Sequence, residues 1–134
     1  MECIFCKIIA KTIPAYVLYE DDDFIVILDK FPSVLGHSLI IPKTHSKDFF
    51  DLPEETAAKV LPLAKRIAER LKKATDCEGL NVLQNNGEAA GQTVAHYHIH
   101  LIPRYEYDKI NINWTPSQHY TDAEFSELLE KVRI

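Results

Sequence analysis

Apolar positions along the chain follow two periods. "AYVLYE" (Ala15–Glu20) and "FIVILD" (Phe24–Asp29) are short runs rich in β-branched and aromatic residues, and they read as strands. The acidic turn Asp21–Asp23 joins them into a hairpin. Gly36 opens a third strand, "HSLIIP", and Pro42 closes it, because proline has no N–H for the ladder. After Pro53 the period changes to that of a helix. Glu54 and Glu55 occupy its positive end, and Val60, Ala64, Ile67 and Leu71 recur at helical spacing through about Lys73. Pro62 interrupts this pattern and predicts a kink. Cys77 to Gly79 end the segment. "LNVLQN" (Leu80–Asn85) and "AHYHIHLIP" (Ala95–Pro103) read as a fourth and a fifth strand, separated by the small-residue loop "NGEAAGQ".

The ends are less regular. The first ten residues form a short helix or turn with Ile4, Phe5, Ile8 and Ile9 apolar. Ile110, Ile112 and Trp114 alternate like an arm strand. Thr121 and Glu124 form a capping box, which opens a C-terminal helix with Phe125, Leu128, Leu129 and Val132 on one face. Hairpin, strand, helix, two strands and helix, with consecutive strands as antiparallel neighbours, predict an α+β fold.

Length and composition narrow the class. A chain of 134 residues bounds one domain with a single core, and 46% hydrophobic with 26% charged residues is ordinary globular composition. "FIVIL" is far short of the ~20 apolar residues that span a bilayer. The N-terminus has neither the basic nor the long apolar region of a secretory signal, so a cytoplasmic chain without membrane attachment is expected. The net charge of −5 and the lack of a basic stripe argue against nucleic-acid binding. A local anion site built from backbone N–H groups remains compatible with that charge.

Chemistry concentrates in "GQTVAHYHIHLIPR", Gly91–Arg104, which holds three of the six histidines at every second position. On a strand, His96, His98 and His100 share one face, while Tyr97, Ile99 and Leu101 face the core. Imidazoles about 7 Å apart along a strand can surround one ligand or divide between two sites. A metal cluster and a nucleophile with a helper both suit them.

The three cysteines are an odd number, which does not suggest a disulfide framework. Cys77 is expected to be a passive thiol. "CIFC" (Cys3–Cys6) has the spacing of a zinc site or a redox pair. No strand precedes Cys3 as a redox motif requires. Zinc needs two further ligands, for which His45 in "PKTH" and His96 are candidates.

His-Tyr-His-Ile-His-Leu-Ile resembles the motif of the histidine triad (HIT) family, in which three histidines alternate with apolar residues. "IFCKIIAKTIPAYVLYEDDDFIVILDKFP", "GHSLIIPKTH" and "LQNNGEAAGQTVAHYHIHLIPR" extend the resemblance over about residues 3–105, leaving 106–134 as a C-terminal arm and helix of one domain, 1–134. The resemblance implies a five-stranded antiparallel sheet with a long helix, and a homodimer joined through that helix and the fourth strand. It implies a purine-nucleotide hydrolase that attacks the α-phosphate of nucleoside phosphoramidates, acyl-nucleotides or dinucleoside polyphosphates. His98 takes the nucleophile's place, with His100 and His37 beside it. Asn85, Thr93 and the Gln92 side chain are expected near the phosphate, Asp29 on the ribose hydroxyls, and Phe5, Ile8 and Ile27 around the base. Zinc-bearing members, and the related galactose-1-phosphate uridylyltransferases, imply one structural Zn²⁺ per chain on Cys3, Cys6, His45 and His96. The alternative is a nucleotide-binding module on a zinc scaffold that does not turn over substrate.

Overall fold

The computed structural model describes residues 2–112 and 119–134. Its elements run α1 (Ile4–Ile9), β1 (Tyr16–Glu20), β2 (Phe24–Leu28), β3 (Ser38–Pro42), α2 (Glu54–Thr75), β4 (Gly79–Leu83), β5 (Ile99–Arg104) and α3 (Asp122–Val132). The strands form one antiparallel sheet in the order β1-β2-β3-β5-β4, and the fold is α+β as expected. Trp114 lies outside the described residues, and Ile110 and Ile112 belong to no strand.

Both faces of the sheet centre are covered, which explains why β2 and β3 read as unbroken apolar runs. Phe24, Val26, Ile40, Tyr97, Ile99 and Leu101 pack under α2, against Val60, Leu63, Ala64, Ile67 and Leu71. The alternate residues Ile25, Ile27, Leu39 and Ile41 pack on the other face against Cys3, Phe5 and Ile8. Tyr97, Ile99 and Leu101 therefore do face the core, but the histidine side is buried as well.

α2 continues through Pro62 as a single helix of 22 residues. Pro62 and Ala58, four residues before it, are both exposed, so water can satisfy the carbonyl that loses its N–H partner. Gly36 has φ +99°, and a Cβ there would stand 3.3 Å from both Pro103 and Thr75 side chains. It therefore lets the chain turn tightly into β3 and sets His37 immediately before that central strand.

The fifth strand begins at Ile99, four residues later than the apolar pattern predicts. The register pairs Ile40 with Ile99 and Leu39 with His100. Pro42 offers no N–H, and its carbonyl accepts from the His96 ring at 2.8 Å instead of from a strand. The Tyr97 N–H donates to Ser46 at 2.7 Å. Only His100 of the three histidines is thus in the ladder, although the alternation of faces persists through the extended lead-in.

Candidate functional site

The N-terminal turn of α1 builds the first half of the site. Cys3 caps the helix, its Sγ accepting from the Cys6 N–H at 3.4 Å, so both thiols point the same way. His45, in the loop after β3, and His96 meet them. Cys3 Sγ lies 3.4 Å from His96 Nδ1, Cys6 Sγ lies 3.4 Å from His45 Nδ1 and 3.6 Å from His96 Nδ1, and the two Nδ1 atoms are 3.0 Å apart. Zinc bonds of about 2.3 Å to sulfur and about 2.0 Å to nitrogen, in a tetrahedron, require ligand separations of roughly 3.3–3.8 Å. The four residues can therefore hold a metal with little movement. The tautomer agrees. His96 Nε2–H donates to the Pro42 carbonyl at 2.8 Å, which leaves the Nδ1 lone pair turned to the cluster. Burial, with Cys3 alongside, raises the Cys6 thiol, and a bound cation would reverse that.

The other histidines form a separate group with their own tautomer logic. His98 Nδ1 lies 2.8 Å from the His96 carbonyl, which can only accept, so Nδ1 carries the proton and Nε2 keeps its lone pair. The Ser33 N–H donates to His37 Nδ1 at 3.1 Å, which places the His37 proton on Nε2. That Nε2–H donates to His100 Nδ1 at 2.9 Å, so His100 carries its own proton on Nε2. The group is therefore one bare nitrogen beside one N–H donor, with the His98 and His100 ring centres 4.8 Å apart.

Asp29, His37 and His100 are also close enough to share a metal. The His37 nitrogen that faces the others is a donor, however, so the cluster is a hydrogen-bonded set and not a ready ligand set. Asp29 Oδ2 stands 3.7 Å from that nitrogen, and Asp29 Oδ1 accepts the Phe31 N–H at 2.9 Å.

Burial sets the charge state. It lowers His98 below the usual imidazole range, partly opposed by the bond to the His96 carbonyl. Burial also lowers His37, with Asp29 opposing, and takes His100 down to about 4 with help from His98 and His37. All three are neutral at pH 7, which suits a nucleophile and a neutral donor.

Two cavities flank these rings. One, of about 470 Å³, is lined by Phe5, Ile8, Ile27, Leu39 and Asp29. The other, of about 560 Å³, is lined by His37, His100, Asn85, Ser33 and residues at the end of the β5 arm. Phe5 also stands edge-on to the His98 ring at 4.9 Å. The residues expected around a base and a ribose are thus together on one side, and His37, His100 and Asn85 on the other.

Gln92 differs from its expected place at the phosphate. It is buried, its Oε1 accepts the Gly87 N–H at 2.7 Å, and its Nε2 donates to Lys47 and Val94 carbonyls at 2.8 and 2.9 Å. Its amide is fully used in folding the loop before the histidines. Thr93 is exposed in that loop. With its NH₂ turned to acceptors, Asn85 donates to the Ala90 and Gln84 carbonyls at 3.2 and 3.3 Å. Sequence reasoning missed the Ser33 amide and the Pro42 carbonyl. Both act through the main chain, which leaves no side-chain signal to read.

Comparisons with known proteins fit this geometry. The HIT domain pattern matches residues 10–107. Adenylylsulfatase HINT3 of Arabidopsis thaliana is 42% identical over 134 residues, 98% of this chain and 68% of that protein. Adenosine 5'-monophosphoramidase HNT1 of Saccharomyces cerevisiae is 43% identical over 127 residues, 94% of this chain and 75% of that one. The crystal structure of a zinc-bound histidine triad family protein from Mycobacterium smegmatis is 42% identical, with a TM-score of 0.79 over 87% of this chain and 85% of that one. Cys3 and Cys6 precede the matched pattern, whereas the hairpin, His37, His45 and the histidine segment all fall within it. The elements that carry the imidazoles are the ones that match, and the chain belongs to the HIT domain family.

Proposed function

We propose that the chain is a nucleotide hydrolase acting at the α-phosphate of nucleoside phosphoramidates, acyl-nucleotides or dinucleoside polyphosphates, with His98 as the nucleophile. The observation that carries this is the His98 Nδ1–H bond to the His96 carbonyl, which presents the Nε2 lone pair among neutral rings. Nε2 forms the bond to phosphorus as the bond to the leaving group breaks, and the leaving group takes that electron pair. The His100 Nε2–H donates to a phosphoryl oxygen as charge builds there, with Thr93 and main-chain N–H groups of its loop alongside. Water then attacks phosphorus and gives up a proton, Nε2 leaves with its pair, and the monophosphate is freed. His37 keeps His100 in the donating tautomer. Asp29 has lone pairs left to accept ribose hydroxyls. Phe5, Ile8 and Ile27 take a purine against their apolar surface.

Cys3, Cys6, His45 and His96 hold one structural zinc. With four protein ligands no position is left for substrate. The metal would tie α1 to the histidine segment, supported by the donor set and its spacing. The protein is a homodimer through α2 and β4. β4 is an edge strand among the described residues, and Val82 on it and Leu61 on α2 are 52% and 61% exposed. Light scattering that returns 15.4 kDa at working concentration would remove the dimer.

Turnover of an adenosine phosphoramidate, an aminoacyl-adenylate and a diadenosine polyphosphate tests the hydrolase, and the ratio of their kcat/KM values identifies the preferred class. Rapid quenching in mild alkali, followed by peptide mass spectrometry, is expected to find the nucleotidyl group on His98. Affinity for AMP without turnover of any of the three would leave a binding module instead.

A further inference from the structure

The larger cavity has features that the reaction at phosphorus does not require. A nucleoside in the cavity beside Asp29 would bring its α-phosphate toward the histidines, and in-line attack by His98 sends the leaving group away from that ring. His37, His100 and Asn85 open onto the cavity of about 560 Å³, which shares no lining residue with the cavity beside Asp29 and is far larger than ammonia or a sulfate needs. Leu83, Ile102, Ile110 and Ile112 supply an apolar wall. Two of its lining residues, Asp108 and Lys109, carry formal charge.

These two charges are not equivalent. Asp108 accepts from Arg104 at 2.9 and 3.0 Å and from the main-chain N–H groups of Tyr105 and Ile110 at 2.7 and 3.2 Å. Those bonds, Arg104 first, hold its carboxyl far below the usual range, so it is spent within the arm. Lys109 has no carboxylate within ion-pair distance among the described residues. The cation is therefore the cavity's uncompensated charge, in a chain whose net charge is −5. An exposed lysine of this kind gives a binding preference of modest size, through long-range attraction more than through a fixed bond.

We propose that this cavity receives the leaving group and that Lys109 selects leaving groups carrying an anionic function next to an apolar body. The inference rests on the hydrolase reading above and names the substrate class it favours. Lys109 acts on specificity and takes no part in the chemistry at phosphorus.

Two adenosine 5′-phosphoramidates test it, one of phenylalanine and one of phenylalaninamide. They share the P–N bond and the benzyl group and differ in one carboxylate. The readout is the ratio of kcat/KM, carboxylate over amide, in wild type, Lys109→Ala, Lys109→Glu and Lys65→Glu. Lys65 pairs with Glu69 on α2 and controls for net charge. The ratio is expected to fall about fivefold in Lys109→Ala and about tenfold in Lys109→Glu, and to hold in Lys65→Glu, at low salt. Raising the salt should compress the wild-type ratio toward that of Lys109→Ala. A ratio within twofold of wild type in Lys109→Glu, or an equal fall in Lys65→Glu, overturns the proposal. If wild type hydrolyses neither compound, this inference fails, while turnover of the aminoacyl-adenylate or the diadenosine polyphosphate still decides the hydrolase reading separately.

Discussion

The two ends of the chain invert the usual relation between helix length and order. α1 has six residues, below any length that is stable alone, yet Cys3, Phe5 and Ile8 are all buried. α3 has 11 residues and a complete capping box, yet none of its residues is buried. Local signals make α3 a helix, whereas tertiary contacts make α1 one. α1 also serves two of the proposed roles at once. Cys3 and Cys6 belong to the cluster that can hold a metal, while Phe5 and Ile8 line the cavity proposed for the nucleoside. The short helix is where the proposed scaffold and substrate would meet, and among the described residues the long-signalled helix at the other end contributes to neither. Perturbing each part in turn tests this contrast.

The largest effect is expected between the ends, at the nucleophile. His98→Ala should lower kcat by about four orders of magnitude or more, because it removes the atom proposed to form the bond to phosphorus. AMP affinity should stay within about threefold, since the cavity that would hold the base and ribose is built from other residues. Single-turnover kinetics and calorimetric titration with AMP measure the two quantities. Wild-type turnover in this variant, or an adduct on His37 or His100, would sink the assignment.

Cys6→Ala follows, and it tests the N-terminal end directly. Metal content by elemental analysis should fall from near one per chain to under about a tenth. Stability should drop by about 3 kcal/mol or more in urea melts, as for loss of a structural metal. AMP affinity should also fall, because freeing α1 loosens Phe5 and Ile8. A variant that loses metal but binds AMP as tightly as wild type would separate the two jobs here assigned to one helix.

Much of this was legible in the residues, for reasons that differ by element. β2 and β3 were readable because sustained apolar runs bounded by Asp29 and Pro42 have few other solutions. The histidine face was readable because alternation survives in extended chain whether or not it pairs. The start of β5 was not, because it depends on the missing N–H of Pro42 against its future neighbour, which is a fact of register. The loop bonds of Gln92 were not legible for a related reason. An amide beside a histidine motif can face a ligand or a loop, and only the positions of the Lys47 and Val94 carbonyls decide. The tautomers were beyond sequence altogether, since three are set by a main-chain group of His96, Pro42 or Ser33, and that of His100 by the His37 ring that Ser33 fixes.

Acid should act mainly on the histidine side. His100 is lowered to about 4 when folded, against about 6.5 for a free imidazole. Between those values the unfolded chain binds a proton that the folded chain does not, so folding weakens as pH falls. The stability linked to neutral His100 is complete above about pH 6.5 and is lost by about pH 4. His37 is lowered in the same direction. Urea midpoints at pH 7.5, 6.5, 5.5 and 4.5, compared with His100→Gln, isolate this contribution from the metal ligands. The variant should have the shallower acid slope, and parallel slopes would refute the burial argument.

The smallest effect is expected at the C-terminal helix. Thr121 accepts from the Glu124 N–H at 3.2 Å, and Glu124 accepts from the Thr121 N–H at 3.0 Å. Thr121→Ala should cost α3 about 1 kcal/mol of local stability. Amide exchange along Asp122–Val132 should then quicken about fivefold. The global melting temperature should stay within about 1 °C, because Phe125, Leu128, Leu129 and Val132 are between 43% and 59% exposed and none of them is buried. A fall of several degrees would mean that α3 is coupled to the core after all. Repeating the melt over a hundredfold range of protein concentration then identifies the cause. A concentration-dependent fall places the helix against a second copy, and a constant one places it against its own chain, so either outcome would replace the contrast between the two ends with a specific contact.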